Sequence, residues 1–325
     1  MRAVVVNETG GPHVLHERQV PRPSPGPGEV LVRIEAAGVN FIDTYFRDGT
    51  YPAPLPLVPG QEAAGVIVGA GAGALDDAAF AVGDRVAFAT VRGAYAESAS
   101  VPVTALVPVP DTIGARNAAA LLLQGLAARY LTHDTHPVRD GEVVVVHAGA
   151  GGLGRLLVQL ATARGARVLA TASTEDKRRF ARDAGAHAVC GYEEPGGLRA
   201  RVDEISEGRG ASVVFDGVGA PTFESSLRAL GPRGHLVLCG LSGGRVPPFD
   251  LDRLRSGSLT VSRPSLADHT RDAATLRASA ADLFDHLTRG RVSARVHAEL
   301  PLADAAEAHR MLQSRRTAGK LLLIP

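Results

Sequence analysis

The 325 residues include 45% hydrophobic side chains, and 35 basic residues nearly cancel 34 acidic ones. That length and apolar content suffice for two cores, while the balance of charge removes any global electrostatic case for nucleic acid or an anionic membrane as a partner. Two cysteines, Cys190 and Cys239, stand far from any C-x-x-C spacing, which excludes a disulfide framework or a structural zinc lobe and fits a reducing cytoplasm.

In chain order, MRAVVVNETGG reads as an edge strand and a turn, without the charged-then-apolar pattern of a secretory signal. From Met1 to about Ala115, runs such as VLVRIEAAGV, AAGVIVGAGAG and GDRVAFAT alternate with Pro and Gly, which predicts an irregular, mostly antiparallel β domain. PRPSPGPGE is a turn-rich connector between strands. From Asn117, NAAALLLQGLAARYLTH predicts a helix, after which the strands VVVVHA, RVLATA, HAVCGY, ASVVFDGV and HLVLCG recur with helical segments between most of them. Five or six parallel strands with crossover helices make a doubly wound sheet. After Gly257 come SLTVSRPSL, a helix over about Thr275–Arg289, a strand RVHAEL, a helix over about Ala303–Gln313 and a last strand KLLLIP. The α/β domain, residues 118–257, is thus predicted to be inserted into a domain made from residues 1–117 and 258–325, with a cleft between them. No apolar run approaches the ~20 residues that span a bilayer.

The stretch His147–Ser173, HAGAGGLGRLLVQLATARGARVLATAS, carries the most specific chemistry. A buried strand at Val143–Val146 leads at once into glycines, and LLVQLATA then repeats apolar residues at helical spacing. Gly149, Gly151 and Gly154 satisfy G-x-G-x-x-G, with Ala150, Gly152 and Leu153 between them. In a dinucleotide site the first glycine allows the sharp turn, the second lets backbone N–H groups approach a pyrophosphate, and the third lets the helix pack close to the strand. An NAD site usually places an Asp or Glu about 20 residues into such a unit for the ribose 2′-hydroxyl. Here Ala172, Ser173 and Thr174 stand there. Ser173 or Thr174 reads as a helix N-cap, which puts Glu175 and Asp176 in the first helical turn, where they complement its dipole. Lys177, Arg178 and Arg179 follow, and cations there suit a 2′-phosphate, so the residues favour NADPH.

Several further stretches occur in a recognisable order: AAGVNFIDTYFRDGTYP, PGQEAAGVIVGAG, GDRVAF, LLQGLAA, HAGAGGLG, FDGVG, GSLTVSRPSL and SRRTAGKLLLIP. Through them the chain resembles, over essentially its full length, the zinc-independent quinone oxidoreductases of the medium-chain dehydrogenase/reductase superfamily, the ζ-crystallin-like group. The resemblance implies an α/β protein in which a GroES-like irregular β domain carries an inserted Rossmann domain. It implies hydride transfer from NADPH to a quinone or similar conjugated carbonyl, and a cytoplasmic homodimer paired through an edge of the nucleotide-domain sheet, with neither nucleic acid nor membrane as partner.

By the same resemblance Lys177, Tyr192 and Arg315 hold the 2′-phosphate. Asn40, Phe41, Ile42, Asp43, Gln124, Ser173, Asp216, Gly217, Leu238, Cys239, Gly240, Leu241, Arg263, Pro264 and Ser265 line the cofactor or substrate. Relatives often have Thr where this chain has Ala127, so one hydroxyl contact to the cofactor is expected to be missing. With no metal, the protein must supply positioning, a dry pocket and hydrogen-bond donors to a developing oxyanion. Asn40 and Tyr51 are the candidate donors, and Tyr45 a pocket wall or proton source; core packing is nearly as good an account of each tyrosine.

Zinc-dependent relatives bind their metal with a Cys near the position of Asn40 and a His in a G-H-E run. Here that run is Gly60-Gln61-Glu62, and no Cys occurs in the first 189 residues, so a tetrahedral zinc site is not expected. His133 and His136 have H-x-x-H spacing but fall in a polar helix-to-loop region. Gly240-Leu241-Ser242-Gly243-Gly244 fits the nucleophile-elbow pattern of hydrolases, but the elbow must lead straight into a helix and Pro247-Pro248 follow. Two alternatives share the fold: an enone or enoyl-thioester reductase, and a protein that binds NADPH with little turnover.

Overall fold

Short β-branched runs broken by Gly and Pro fold into the antiparallel strands that their spacing predicts. In the computed structural model, which describes residues 1–76, 79–193 and 197–325, β1 (Arg2–Val5) pairs antiparallel with β2 (His16–Gln19). β3 (Glu29–Val39) ends at Asn40, the N-cap of the short helix α1 (Phe41–Arg47). β4 (Glu62–Ala70), β5 (Arg85–Ala89), β6 (Ser98–Pro102) and β7 (Leu106–Pro108) follow, and then helix α2 (Ala115–Tyr130).

The βα alternation begins with β8 (Val143–Val146), whose four valines are all buried, as a strand covered on both faces requires. It continues through α3 (Gly152–Ala163), β9 (Arg167–Thr171), α4 (Glu175–Asp183), β10 (Ala188–Cys190), α5 (Gly197–Ser206), β11 (Ala211–Asp216), α6 (Phe223–Ala229), β12 (Leu230–Leu238), β13 (Thr260–Ser262) and α7 (Leu266–His269). The six strands pair in parallel in the order β10-β9-β8-β11-β12-β13. The strand order reverses direction between β8 and β11, and ligands of doubly wound sheets bind beyond the strand ends at such a point.

The chain then returns through α8 (Ala273–Thr288), β14 (Val296–Pro301), α9 (Ala305–Gln313) and β15 (Lys320–Ile324). These strands extend the first sheet, in the order β14-β15-β3-β4-β5-β7, with β6 beside β3. β14 and β15 are parallel, and the other pairings are antiparallel. The β15–β3 register sets Leu322 against Gly38 and Leu321 against Val39, so Lys320 falls opposite Asn40. Side chains such as Val32, Ile67, Phe88, Leu106 and Leu323 fill the core of this sheet, and Val145, Leu169, Val214 and Leu236 fill that of the other.

Two compact units result, residues 1–126 with 269–325, and residues 127–268. The sequence placed the joins at 117/118 and 257/258. In the structure the first join falls within helix α2, and the second moves because β13 pairs with β12; a three-residue strand belongs to whichever sheet its neighbour is in, which its own sequence does not state. Among the described residues no helix is long and apolar enough to cross a membrane.

Candidate functional site

The glycine turn sits at the carboxyl end of β8, and close neighbours leave no room for a side chain at the first and third of its glycines. A Cβ on Gly149 would lie 2.6 Å from the Ala170 side chain of β9, and one on Gly154 would strike the Ala148 carbonyl. On Gly151 the only close atom would be that same carbonyl, at 3.2 Å, so the second glycine is the one whose free side is open. Gly151 is the N-cap of α3 and brings no side-chain cap. The first-turn N–H groups of an α-helix have no intrahelical acceptor, and with the helix dipole they form an anion site. The backbone at Gly151, Gly152, Leu153 and Gly154 therefore fits a pyrophosphate.

The turn is anchored from below by a buried polar chain that the sequence did not reveal. Ser226 Oγ donates to Asp216 Oδ2 at 2.9 Å, which leaves it to accept from His147 Nε2 at 2.9 Å; His147 Nδ1 then accepts from Thr171 Oγ1 at 2.9 Å. Burial pushes the His147 pKa down, in keeping with a neutral ring in this tautomer. Thr171 Oγ1 in turn accepts from Ala148 N–H at 3.3 Å, so the chain ends on the first residue of the turn. Asp216 was expected to touch the cofactor, but it is fully buried and both its oxygens are used. Val218 N–H, Gly219 N–H and the Thr222 hydroxyl donate to Oδ1, and the Thr222 and Ser226 hydroxyls reach Oδ2. Its role is to fold the turn after β11. Gly217 in that turn approaches Gly240 after β12 so closely that a Cβ on Gly240 would lie 2.7 Å from the Gly217 carbonyl.

Other expected residues of this unit lie at the same ends of the strands. Thr174 is the N-cap of α4 and accepts from Lys177 N–H at 3.3 Å, while Ser173 is exposed in the link before it. Glu175 and Asp176 fall in the first turn of α4, paired with arginines: Glu175 with Arg178 (2.9 Å) and Arg182 (2.8 Å), Asp176 with Arg179 (3.2 Å). Those guanidinium groups hold the Glu175 carboxyl below its usual range. Tyr192, after β10, accepts from Ala148 N–H at 3.2 Å and lies 6.1 Å from the His147 ring in stacked orientation. Leu238 ends β12, Cys239 and Leu241 follow it, with Leu238 and Leu241 buried, and Arg263, Pro264 and Ser265 follow β13. Ala150 is buried in the glycine turn, and Ala127 is half-buried in α2. Gly240–Gly244 leads into no helix, the next turn of helix type beginning at Leu251.

The other unit holds Asn40, Phe41, Ile42, Asp43, Tyr45, Tyr51, Gln124 and Arg315. Phe41 and Ile42 are half-buried in the first turn of α1, and Arg315 is exposed after α9 with a left-handed backbone (φ 57°). The rings of Tyr45 and Tyr51 meet edge to face at 5.3 Å, and Phe46 and Tyr51 at 5.8 Å, one aromatic cluster beside α1. Asn40 was expected to donate to a substrate oxyanion, and the structure assigns its hydrogens elsewhere. Nδ2 donates to Glu62 Oε2 at 3.0 Å and to the Gly38 carbonyl at 3.4 Å. Its oxygen accepts from Lys320 Nζ at 2.6 Å and Gln124 Nε2 at 3.2 Å.

Lys320 and Glu62, neither of them a predicted site residue, form a salt bridge of 2.5 Å with both side chains buried. Glu62 Oε1 accepts from the Leu123 N–H of α2 at 2.6 Å. A side chain at Gly38 would collide with the Glu62 carboxylate and the Ala119 carbonyl, so that glycine makes the room.

Asp43 was expected to contact the cofactor, but it is buried as the third helical residue of α1, and its Oδ2 accepts from Asn40 N–H at 2.8 Å and from the Tyr95 hydroxyl at 3.1 Å. Tyr95 Oη lies 3.1 Å from His309 Nε2, and His309 Nδ1 lies 3.2 Å from Arg47 Nη1. A guanidinium only donates, so Nδ1 is the acceptor, Nε2 carries the hydrogen, and every bond in the chain points toward Asp43. Because it starts on a group that keeps its proton, this chain fixes Asp43 and α1 and does not conduct protons. Burial together with Arg47 pushes the His309 pKa down to about 3, and burial pushes Asp43 up to about 7.

Two family models match the chain: an alcohol dehydrogenase GroES-like domain over residues 26–111, and a zinc-binding dehydrogenase over residues 152–282. A quinone oxidoreductase of Pseudomonas aeruginosa is 42% identical over 97% of both chains. A 2-haloacrylate reductase of a Burkholderia species is 37% identical over 99% of this chain and 98% of its own. A mycobacterial protein solved with NADPH superposes with a TM-score of 0.97 at 46% identity, covering the whole of both chains. The chain belongs to the zinc-independent quinone oxidoreductases of the medium-chain dehydrogenase/reductase superfamily.

The zinc of one family description does not fit this quinone oxidoreductase-family chain. Asn40 and Gln61 offer amides, not thiolate or imidazole, and the ammonium of Lys320 already lies on the Glu62 carboxylate. Among the described residues no three His, Cys, Asp or Glu side chains gather where they could hold a metal ion. His136 instead pairs with Glu142 at 3.2 Å, and His133 Nδ1 lies 3.0 Å from the Arg129 carbonyl.

Lys320→Ala strands the Glu62 carboxylate in the core, and is expected to cost about 3–5 kcal/mol of stability, measured by urea denaturation. A loss under about 1 kcal/mol, the level of an exposed pair, would show that the ammonium does not hold Glu62. Asp43 yields a pH dependence. Its pKa is raised from 3.8 to about 7 on folding, so across that window the native state binds the extra proton and stability falls as pH rises. From about pH 5 to 7 the wild type is expected to lose roughly 2 kcal/mol relative to Asp43→Asn; parallel stability curves for the two proteins would show Asp43 ionised throughout.

Proposed function

We propose that this chain reduces quinones or similar conjugated carbonyls with NADPH, as a homodimer in the cytoplasm. The observation that carries the reading is the glycine turn with its uncapped α3 and, one strand away, the arginine-paired acids of α4. Glu175 and Asp176 are bound to Arg178, Arg179 and Arg182, which takes these two acids away from a ribose 2′-hydroxyl, while the Lys177 ammonium suits a 2′-phosphate.

NADPH supplies a hydride to an electron-poor carbonyl when bound. The backbone at Ala150–Gly154 holds its pyrophosphate, and Lys177 and Tyr192 its 2′-phosphate. Phe41, Ile42, Gln124, Ser173, Gly217, Leu238–Leu241, Arg263–Ser265 and Arg315 keep the cofactor roles that the family resemblance implies. Asn40, with its hydrogens committed, acts as a positioning residue; Tyr51 is the donor to the developing oxyanion, and Tyr45 a pocket wall or proton source. A hydroquinone anion is stable enough to take its proton from water, so no strong general acid is required. The dimer would pair at β13, the short outer strand of the parallel sheet, whose far side has no neighbour within that sheet.

The test follows NADPH or NADH oxidation with a simple benzoquinone, a fused-ring ortho-quinone, an alkyl enone and an enoyl thioester, with the oligomer sized by ultracentrifugation. Turnover led by the quinones supports the proposal. Faster turnover of the enone or thioester moves the function to ene reduction, the reading favoured by likeness to a 2-haloacrylate reductase. Tight NADPH binding with no turnover marks a non-catalytic protein. The kcat/KM is expected to favour NADPH over NADH by more than about tenfold, and Lys177→Met to lower that preference about tenfold or more, the worth of one charge-assisted hydrogen bond. Equal kcat/KM values for the two cofactors would overturn the assignment of NADPH.

A further inference from the structure

Lys320 lies where a chain of oriented amides begins. Its ammonium can only donate, so the atom of Asn40 facing it at 2.6 Å is the oxygen. Glu62 can only accept while ionised, so the atom of Asn40 facing Oε2 at 3.0 Å is the nitrogen. The ion pair thus fixes which way round the Asn40 amide sits. Asn40 Oδ1 then requires a donor from Gln124, which presents Nε2 at 3.2 Å. The amide of Gln124 is oriented in turn, and its Oε1 is left on the other side. That oxygen is buried and has no hydrogen-bond partner among the described residues. A buried amide oxygen without a donor is costly, and the cost is relieved when a ligand brings one.

We propose that Lys320 is a positioning residue: through Asn40 it sets the polarity of Gln124, so that Gln124 offers an oxygen acceptor to a hydrogen-bond donor of the bound cofactor. This rests on the functional reading above. The chemistry selects the cofactor over the oxidised substrate, because a simple quinone has no N–H or O–H to give, whereas NADPH carries a carboxamide and ribose hydroxyls. The arrangement also gives a use for a lysine in an otherwise apolar strand, KLLLI. The cation at this point is covalently tethered to the chain, and its role is to orient dipoles.

The test separates charge neutralisation from orientation. Lys320→Met alone leaves an unpaired carboxylate, so the decisive variant is Glu62→Gln/Lys320→Met, which removes both charges and with them the bias on Asn40. NADPH affinity is titrated by cofactor fluorescence, without any electron acceptor, in wild type, in this double variant, in Gln124→Ala and in the triple variant, with melting temperatures alongside. The double variant is expected to melt near wild type yet bind NADPH about tenfold more weakly, and to show under about twofold effect when Gln124 is already Ala. Wild-type affinity in the double variant, or equal losses with and without Gln124, would overturn the proposal while leaving the NADPH reading intact. A double variant that fails to fold would also overturn it, since the pair would then be structural. A wild-type protein that binds no NADPH would bring down both readings.

Discussion

A single buried charge pair, Glu62 with Lys320, organises one end of the first unit. It draws together four segments distant in sequence: the end of β3, the start of β4, the middle of α2 and the start of β15. Desolvating two ions is expensive, and such a pair is tolerated only when the remaining lone pairs and protons also find partners. Glu62 meets that condition through the Leu123 N–H and the Asn40 amide, and Gly38 yields the space. Orientation at Asn40 and Gln124 is the consequence, because an ion pair of fixed polarity admits only one arrangement of the dipoles around it.

The nucleotide unit uses a different device for the same end. Its turns are held by a hydrogen-bonded chain from Asp216 through Ser226, His147 and Thr171 to Ala148, and by glycines where a Cβ would meet neighbouring backbone or side chain. Each member of that chain is bound to the next, which suits groups that position a backbone. Both units therefore keep their buried polar side chains for alignment. That accords with a reaction in which a cofactor carries the chemistry and the protein supplies geometry and fixed dipoles.

In a fold whose relatives include a zinc-binding dehydrogenase family, the buried Glu62 is balanced by the chain's own lysine. Amides at Asn40 and Gln61 are poor metal ligands, but they do not by themselves explain what balances Glu62. The lysine does, and the pairing of β15 with β3 places it there.

The sequence by itself determined the βα alternation, the glycine turn, the capped α4 with its cations and the antiparallel first domain, because each depends on neighbours within a few residues or on a period that the chain displays. It also showed through Asn40 and Gln61 that zinc ligands are missing. Only the tertiary structure decided which sheet β13 joins, that Asp43 is buried in the first turn of α1 and Asp216 against the turn after β11, and that Asn40 has no hydrogen to spare. Those outcomes depend on hydrogen-bond partners such as Tyr95, His309, Ser226 and Lys320, which lie 10 to 280 residues away. Strand register brings a lysine 280 residues from Asn40 into contact with it, and register is a property of the sheet that no single segment records.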